Sequence, residues 1–433
     1  MKKSERSSIN RKRPLSIQNE SKQRSAAKVR STFLHQPFTI TPMPKSLRNK
    51  QNILSTISDS NREHGTLPME LVCNILSWLP IEDLLRFKSV CKRWRDEINS
   101  PYFINSHIRR IKNSNTSSLV IVFSPKYNIL MSIDFHYPEN TKVRPITPNI
   151  PLDRRPFLIG SCIGLLCFTH LEYSMSKESR SRRFSLYNPI TGASKLIPKL
   201  ESLNPNLRNG FGYDCMSGDY KILCLATDQE DFMTTYTCVY SLKSNSWNVN
   251  MDEPCPYLCG NIPWSSYMVF SNNALHFIAS EKLIAFDLAS ERFHEIPLPS
   301  DQVISYIQQF ELANLGGCLH LVTLTDIWIM KEYGVQQSWT KLFCFSQANE
   351  CALFDRTILG QRRLTPYAYS KDGREILVAL STHHHMLFRL DIQSRESKKI
   401  QNSSLPKNWE NWAYSGDAMP WVGSLTSFVY PSF

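Results

Sequence analysis

The first apolar pattern along the chain is helical. Apolar residues recur every four positions at Leu71, Ile75 and Leu79, and this spacing predicts one face of a helix. Pro68 is predicted at the first helical position, because its missing N–H would be unpaired there anyway. Pro80 is predicted to end the helix, because a proline ring cannot continue it.

A second helical pattern follows directly. Its apolar residues recur at steps of three and four and predict one face of a single helix: Ile81, Leu84, Phe87, Cys91, Trp94 and Ile98. Basic residues occupy the opposite face: Lys88, Lys92, Arg93 and Arg95. With a helix-like tail over residues 101–110, the pattern predicts a small helical module of about 45 residues.

The size of this module implies a partner. At this length a lone core is usually too small to offset chain entropy. The module nevertheless holds more large apolar side chains than such a bundle can enclose, and burying each one contributes roughly 1.5 to 3 kcal/mol. The simplest explanation is that another protein covers the remaining apolar surface. The alternative is an ordinary helical hairpin packed on the next domain.

The same residues resemble the F-box, the helical module by which substrate receptors of ubiquitin ligases dock onto a Skp-type adaptor and its cullin. The match is carried by Leu67, Pro68, Leu71, Ile75, Leu76, Leu79, Pro80, Leu84, Leu85, Phe87, Val90, Cys91, Trp94 and Phe103. In that family the two Leu-Pro steps, the Ile-Leu pair and the Val-Cys-x-x-Trp run face the adaptor or support that face. The resemblance therefore assigns adaptor contact to Leu67, Pro68, Ile75, Leu76, Leu79, Pro80, Val90, Cys91 and Trp94.

Beyond the helical module the pattern changes to strand period. Residues 119–124 form an apolar run, and Ile129, Met131, Ile133 and Phe135 alternate with less apolar neighbours, as in a half-buried strand. From there onward, aromatic-rich strands are separated by turns of Asn, Asp, Ser, Gly and Pro. This part of the chain is predicted to be mostly β.

An internal repeat organises the β part. Tyr187, Tyr240, Phe286 and Leu390 occupy the matching place in a strand, polar turn, strand layout, at separations of 53, 46 and 104 residues. The last separation is about two units, and the segment from Ile327, with a longer turn, supplies the missing copy. Preceding strands also match, where His276 and His320 coincide. A period of about 40 to 50 residues with several strands per unit predicts a β-propeller.

This part resembles the plant F-box-associated domain, a propeller-like relative of the kelch repeats. The phrases that carry the resemblance are GSCIGLLCF, LYNPITG, GFGYD and FRLDIQ. Kelch repeats carry a glycine doublet in every blade, whereas here only Gly316 and Gly317 qualify. The length and period fit six or seven blades.

Charge is concentrated at the start of the chain. Residues 1–50 hold 13 Lys or Arg and two Glu, a balance of +11 out of the formal +12 of the whole chain. This Ser-, Asn- and Gln-rich segment has little periodicity, so a disordered tail is expected. Its basic cluster at residues 11–13 fits a nuclear import signal, a weak polyanion contact or simply a solvated extension. Only Phe33 and Phe38 are interleaved aromatics, so nucleic acid is not an expected partner.

Other candidate sites receive little support from the sequence. His383, His384 and His385 are consecutive, so in a strand they would point to opposite faces. Cys255 and Cys259 lack a second ligand pair, and the twelve cysteines are expected to be free thiols. Asp214, Asp219, Asp287 and Asp391 stand beside turn residues and are expected to cap backbone N–H groups. Trp264, Tyr333 and Trp409 fit either ligand contact or edge packing. No catalytic residue, metal site or cofactor is predicted.

The sequence therefore predicts an α+β multidomain chain: a disordered basic tail over residues 1–64, an all-α F-box module over 65–113 and an all-β propeller over 114–433. The resemblance implies a non-catalytic receptor subunit of a Skp-cullin-F-box ubiquitin ligase, with a Skp-type adaptor, a cullin, a RING protein and an unknown protein substrate as partners. Substrate-binding residues are not assigned. The longest apolar run is far below the roughly 20 residues of a membrane span, and the polar start lacks a secretory signal, so the cytoplasm, the nucleus or both are expected. A non-degradative scaffold, a propeller enzyme and a tail-driven nucleic-acid binder are the rival functions.

Overall fold

The computed structural model describes residues 67–79, 81–113, 119–124, 129–134, 143–146, 156–173, 180–200, 203–228, 235–250, 268–279, 281–299, 310–323, 326–344, 363–370, 372–381, 385–400, 418–421 and 424–426. The predicted tail, Pro80, Cys255, Cys259, Trp264, His383, His384 and Trp409 lie outside these residues. Within them, no helix combines the length and the apolar character needed to span a bilayer.

Four helices open the described chain: α1 (Met69–Leu76), α2 (Ile81–Phe87), α3 (Lys92–Ile98) and α4 (Pro101–Asn113). Pro68 is the N-cap of α1, with φ −52° and ψ 138°, and the prediction that it is the first helical residue is wrong by one position. Its extended ψ is that of a capping residue, whose carbonyl already accepts the first helical hydrogen bonds from Leu71 and Val72.

The second helical pattern is divided between two helices, so the prediction of one continuous helix is wrong. Cys91 is extended, with φ −157° and ψ 163°, and it caps the start of α3. The backbone N–H of Trp94 donates to its Sγ at 3.4 Å. Because the break keeps the apolar residues inward, Ile81, Leu84 and Ile98 still share one core.

Six four-stranded antiparallel sheets follow the helices in the described chain. Blade 1 contains β1 (Leu119–Ser124), β2 (Ile129–Asp134), β3 (Val143–Ile146) and the final strand β24 (Ala418–Trp421). Blade 2 contains β4 (Phe157–Cys162), β5 (Leu165–Tyr173), β6 (Arg180–Tyr187) and β7 (Ser194–Leu196). Blade 3 contains β8 (Leu203–Asp214), β9 (Asp219–Asp228), β10 (Thr235–Ser241) and β11 (Ser246–Asn250).

The remaining sheets have the same up-and-down order. Blade 4 contains β12 (Val269–Ser271), β13 (Ala274–Ala279), β14 (Lys282–Asp287) and β15 (Arg292–Ile296). Blade 5 contains β16 (Glu311–Leu315), β17 (Cys318–Val322), β18 (Asp326–Met330) and β19 (Trp339–Cys344), with a 3-10 turn at Gln336–Ser338. Blade 6 contains β20 (Arg363–Tyr369), β21 (Glu375–Ser381), β22 (His385–Asp391) and β23 (Ser397–Lys399).

The six sheets close into a ring. The innermost strands contact one another in the order β24, β4, β8, β12, β16 and β20, and β20 contacts β24 again. Blade 1 joins the two ends of the ring, because β24 pairs with β1 in the register Leu119↔Trp421 to Val122↔Ala418. Of the two blade numbers that the sequence allowed, the described strands form six.

The repeat read from the sequence marks the third strand of blades 2 to 6. Tyr187, Tyr240, Phe286 and Leu390 lie near the ends of β6, β10, β14 and β22 and are at most 3% exposed. Buried at equivalent places, they pack the interfaces between blades. The segment from Ile327 forms β18 of blade 5, as the missing copy predicts.

A capped turn follows each of these aromatic or apolar residues. Oδ1 of Asp287 accepts the N–H groups of Ala289 (3.1 Å) and Ser290 (2.7 Å). Oδ1 of Asp391 likewise accepts those of Gln393 (2.8 Å) and Ser394 (2.7 Å).

In blade 3 the predicted carboxylates do the same. Asp214 accepts the N–H of Met216 at 3.0 Å, and Asp219 accepts that of Lys243 at 3.0 Å. The structural role predicted for the four aspartates is confirmed.

Two buried histidines join neighbouring blades. Nδ1 of His276 in blade 4 donates to the carbonyl of Val269 (3.1 Å), and its Nε2 accepts from the hydroxyl of Tyr333 in blade 5 (2.8 Å). His320 in blade 5 repeats the arrangement with Tyr369 in blade 6, also at 2.8 Å. Tyr333, which fitted two roles in the sequence, is therefore a packing residue between blades.

We expect these histidines to make folding stability depend on pH. Burial lowers the pKa of His276 and of His320 to about 4, from an ordinary value of 6.5. In the unfolded chain both take up protons below about pH 6.5, whereas in the folded chain they stay neutral to about pH 4. Stability is therefore highest above pH 6.5 and falls by about 2 kcal/mol per histidine between about pH 7.5 and pH 5.

Denaturant unfolding of the parent and of His320→Gln at both pH values checks this expectation. The variant is less stable at the higher pH because a buried bridge is lost. Its further loss on acidification should be about 2 kcal/mol smaller than that of the parent. An equal loss in both proteins would contradict a buried neutral His320.

Candidate functional site

Helix α1 presents two apolar faces. Val72 and Leu76 are buried in the core of the helical module, at 8% and 2% exposure. Leu71 and Ile75, one residue before each of them, are 38% and 57% exposed. An amphipathic helix of a self-contained domain would place polar residues at those outward positions. The outward face of α1 is therefore apolar surface that its own fold leaves exposed.

The residues assigned to adaptor contact differ in exposure. Leu67 (60%) and Val90 (59%) are exposed, as are Pro68 and Cys91. Leu79 and Trp94 are half-buried, and Leu76 lies inside the core. Leu76 is thus placed to support the contact face from within. The adaptor contacts themselves stay a prediction, and Pro80 lies outside the described residues.

Trp94 is fixed by its neighbours on the preceding helix. Its ring meets that of Phe87 edge to face, with centroids 5.6 Å apart, an arrangement that aromatic pairs prefer. Its backbone N–H is held by the Cys91 cap. The Val-Cys-x-x-Trp run is therefore a structural unit in which the cysteine orders the start of α3 and exposes Val90.

The sequence did not single out His107, which contacts the backbone of Leu79. Its Nε2 donates to the carbonyl oxygen of Leu79 at 3.2 Å, and its ring stacks on Phe103 with centroids 6.1 Å apart. Burial lowers the pKa of His107, so the ring is neutral at pH 7. The i, i+4 spacing of Phe103 and His107 in α4 was the available signal.

Trp78 is a second residue that the predicted contact set omits. It is 72% exposed, and the Arg110 guanidinium lies 4.2 Å from the centre of its ring. Nη2 of Arg110 also donates to Oδ1 of Asn74 at 3.0 Å. Arg110 therefore orients an exposed tryptophan at the end of α1 through a cation–π contact.

Exposed apolar side chains are concentrated in the helical module. Within the described chain the large ones are Leu67, Leu71, Ile75, Trp78, Leu85, Val90 and Tyr102 in the module and Phe157, Leu196 and Met216 in the propeller. The seven in the module lie within 36 residues of one another, whereas the three in the propeller are scattered. Such a concentration is characteristic of a protein-binding surface.

The surroundings of Cys73 in α1 shift the pKa of its thiol. Burial and a hydrogen bond with Glu97 raise the pKa of Cys73 to about 11, which keeps this thiol neutral at pH 7. Among the described cysteines, Cys73, Cys91, Cys167, Cys238 and Cys318 are free thiols. No group of His, Cys, Asp or Glu among the described residues is arranged to hold a metal ion.

Two family models match the chain. The F-box domain matches residues 66–106, and the F-box associated beta propeller domain matches residues 117–415. The chain belongs to the plant F-box proteins with a C-terminal F-box associated β-propeller domain. Both resemblances drawn from the sequence are thereby confirmed.

Several relatives come from Arabidopsis thaliana. F-box protein CPR1 is 25% identical over 372 residues, which cover 80% of this chain and 86% of that protein. F-box/kelch-repeat protein At3g23880 is 28% identical over 64% of this chain and 78% of its own length. Among solved structures, TolB from Acinetobacter baumannii aligns with a TM-score of 0.38 at 10% identity, over 70% of this chain and 64% of that one, a similarity too low to support any argument.

Family membership relates the exposed helical surface to adaptor binding by F-box domains in general. F-box domains generally bind Skp1-type adaptors, and an F-box followed by a β-propeller is consistent with a substrate receptor. Families of this adaptor type suggest a non-catalytic role. The exposed residues of α1 and of the α2–α3 junction lie in the F-box.

Substitutions at two neighbouring residues of α1 should change stability by very different amounts. Ile75→Ser should change the free energy of unfolding by about 0.5 kcal/mol or less, because the side chain is exposed. Leu76→Ala should cost about 2 to 5 kcal/mol, because it opens a cavity in the module core. Denaturant unfolding followed by helical circular dichroism measures both. Equal losses would show that the two faces of α1 are wrongly assigned.

Proposed function

We propose that this protein is the substrate-recognition subunit of a Skp-cullin-F-box ubiquitin ligase. The observation that carries the proposal is the exposed apolar surface of the F-box helices, above all Ile75 and Val90, which are 57% and 59% exposed. A Skp-type adaptor that covers these side chains removes them from water, at roughly 25 cal/mol per Å² of apolar surface. The cullin and the RING protein join through that adaptor.

The proposed mechanism is positional. The F-box holds the adaptor, the propeller binds a target protein, and the shared assembly raises the effective concentration of target lysines near a conjugating enzyme. Ubiquitin transfer takes place on other chains of the complex. This chain works in the cytoplasm, the nucleus or both, where the ligase components and the targets meet.

Charge substitution at the exposed surface tests the adaptor contact. Ile75→Asp combined with Val90→Asp should weaken binding to a purified Skp-type adaptor at least about 100-fold, because two charges would lose water in an apolar interface. Isothermal titration calorimetry gives the affinity. Since both side chains are exposed, the variant should keep the circular dichroism spectrum and thermal unfolding of the parent.

Met216→Asp is the matched control. Met216 is 83% exposed in the β8–β9 turn of the propeller, so the same chemical change there should leave adaptor affinity unaltered. Equal affinity of the Ile75, Val90 variant and the control would overturn the proposed adaptor surface.

A non-degradative scaffold is the second candidate, because it would use the same surface. Affinity capture with the parent and with the Ile75→Asp, Val90→Asp variant identifies proteins that stay bound when the adaptor is lost, and these are the target candidates. Removal of the gene should raise the abundance of such a target if the protein is a ligase receptor. Unchanged abundance, together with intact adaptor binding, would favour the scaffold.

A further inference from the structure

The core of the F-box module contains a residue that follows the propeller strands in the sequence. Leu425 is 3% exposed and packs with Val72, Leu76, Ile81, Leu84, Ile98 and Phe103. Ile190, in the turn after β6 of blade 2, packs against the same cluster and also against the blade 1 and blade 2 core. The core of the helical module therefore includes apolar residues from outside the helices.

The segment that carries Leu425, residues 424–426, is held by blade 2. Nδ2 of Asn188, which is fully buried, donates to the carbonyl of Ser424 at 3.0 Å and to that of Thr426 at 2.8 Å. The other end of this amide keeps its turn role, because Oδ1 accepts the N–H of Ile190 at 2.9 Å. The Asn188 side chain thus forms hydrogen bonds to the 424–426 segment on both sides of Leu425.

The β4–β5 turn provides a second attachment. Oγ of Ser424 donates to the carbonyl of Ile163 at 2.8 Å, and the hydroxyl of Tyr220 reaches the same carbonyl at 3.0 Å and Oγ1 of Thr426 at 3.2 Å. Gly164 has φ +82°, and a Cβ there would lie 2.5 Å from the backbone nitrogen of Ser424. The segment and the turn therefore fit against each other without space for a side chain at Gly164.

We propose that residues 424–426 are an internal strap that positions the F-box on the propeller. Ser424 and Thr426 bind blade 2 and Tyr220 of blade 3, while Leu425 between them completes the helical core. The apolar core thus continues from the helices into the propeller, and the two domains move as one body. Given the proposed ligase function, the strap also fixes the direction of the adaptor-binding surface relative to a target on the propeller.

The strap predicts that local stability of the helices depends on Leu425. In the full chain without any partner, Leu425→Ala should accelerate hydrogen exchange of the α1 to α4 amides on the order of 30-fold, because their core gains a cavity. Exchange in blades 3 to 5 should stay unchanged. Hydrogen–deuterium exchange with mass spectrometry resolves the two regions.

Leu390→Ala is the matched control for a lost core leucine. Leu390 is also fully buried, but it lies in the core between blades 5 and 6. This variant should accelerate exchange in blades 5 and 6 and leave the helices as in the parent. Helix exchange that ignores Leu425→Ala, or that responds equally to both variants, would overturn the strap.

Asn188→Asp tests the attachment without touching the helices. It keeps the Oδ1 acceptor of the turn but replaces two N–H donors by a carboxylate oxygen that faces two carbonyl groups. Helix exchange should again accelerate at least about 10-fold. Asp287→Asn makes the reverse change in the corresponding turn of blade 4, which does not contact the 424–426 segment, and should leave the helices unaffected.

The strap and the ligase function can fail separately. Exchange is measured on the chain alone, so a parent that does not bind the adaptor but shows the expected helix response would reject the ligase function and retain the strap. Slow helix exchange in Asn188→Asp, together with normal adaptor affinity, would reject the strap and retain the ligase function.

Discussion

The pairing of β24 with β1 is the constraint on which the rest of the structure depends. These strands come from the two ends of the described β region, and their ladder makes the last described strand the innermost strand of the first blade. A sheet whose edge is paired in this way leaves no open end in the ring. Closure of so long a loop is entropically costly, and the buried interfaces between six blades offset that cost.

Closure also determines where the chain runs next. Residues 424–426, beyond the end of β24, contact blade 2, where Asn188 holds them, and Trp421 at the end of β24 donates from Nε1 to the carbonyl of Gly164 at 3.4 Å. Leu425 then reaches the F-box core. The same event that closes the propeller therefore supplies the missing part of the helical core, and the two domains form one compact unit over Leu67–Phe433.

This arrangement divides the apolar surplus of the F-box into two parts. The sequence showed more apolar side chains than a module of about 45 residues can enclose, and an external protein was the simplest cover. In the structure, Leu425 and Ile190 of the same chain cover the inner part, while Ile75, Val90 and Trp78 stay exposed. Packing on the next domain is thus observed for the inner face of the helices, and the hypothesis of an external partner concerns only the outer face.

Local patterns in the sequence predicted the helical region, the strands and the capped turns, because these depend on residues close together in the chain, but they missed the break between α2 and α3 at Cys91. The apolar spacing located the F-box, and the repeated apolar positions, followed in blades 4 and 6 by a capping Asp, located the third strand of blades 2 to 6. Only the tertiary structure decided the number of blades, the bridges from His276 and His320 to the next blade, the contact of His107 with Leu79 and the place of Leu425. The number of blades and each of these contacts depend on residues that are far apart in sequence. A local pattern does not show which distant residue will complete a core or form a buried hydrogen bond.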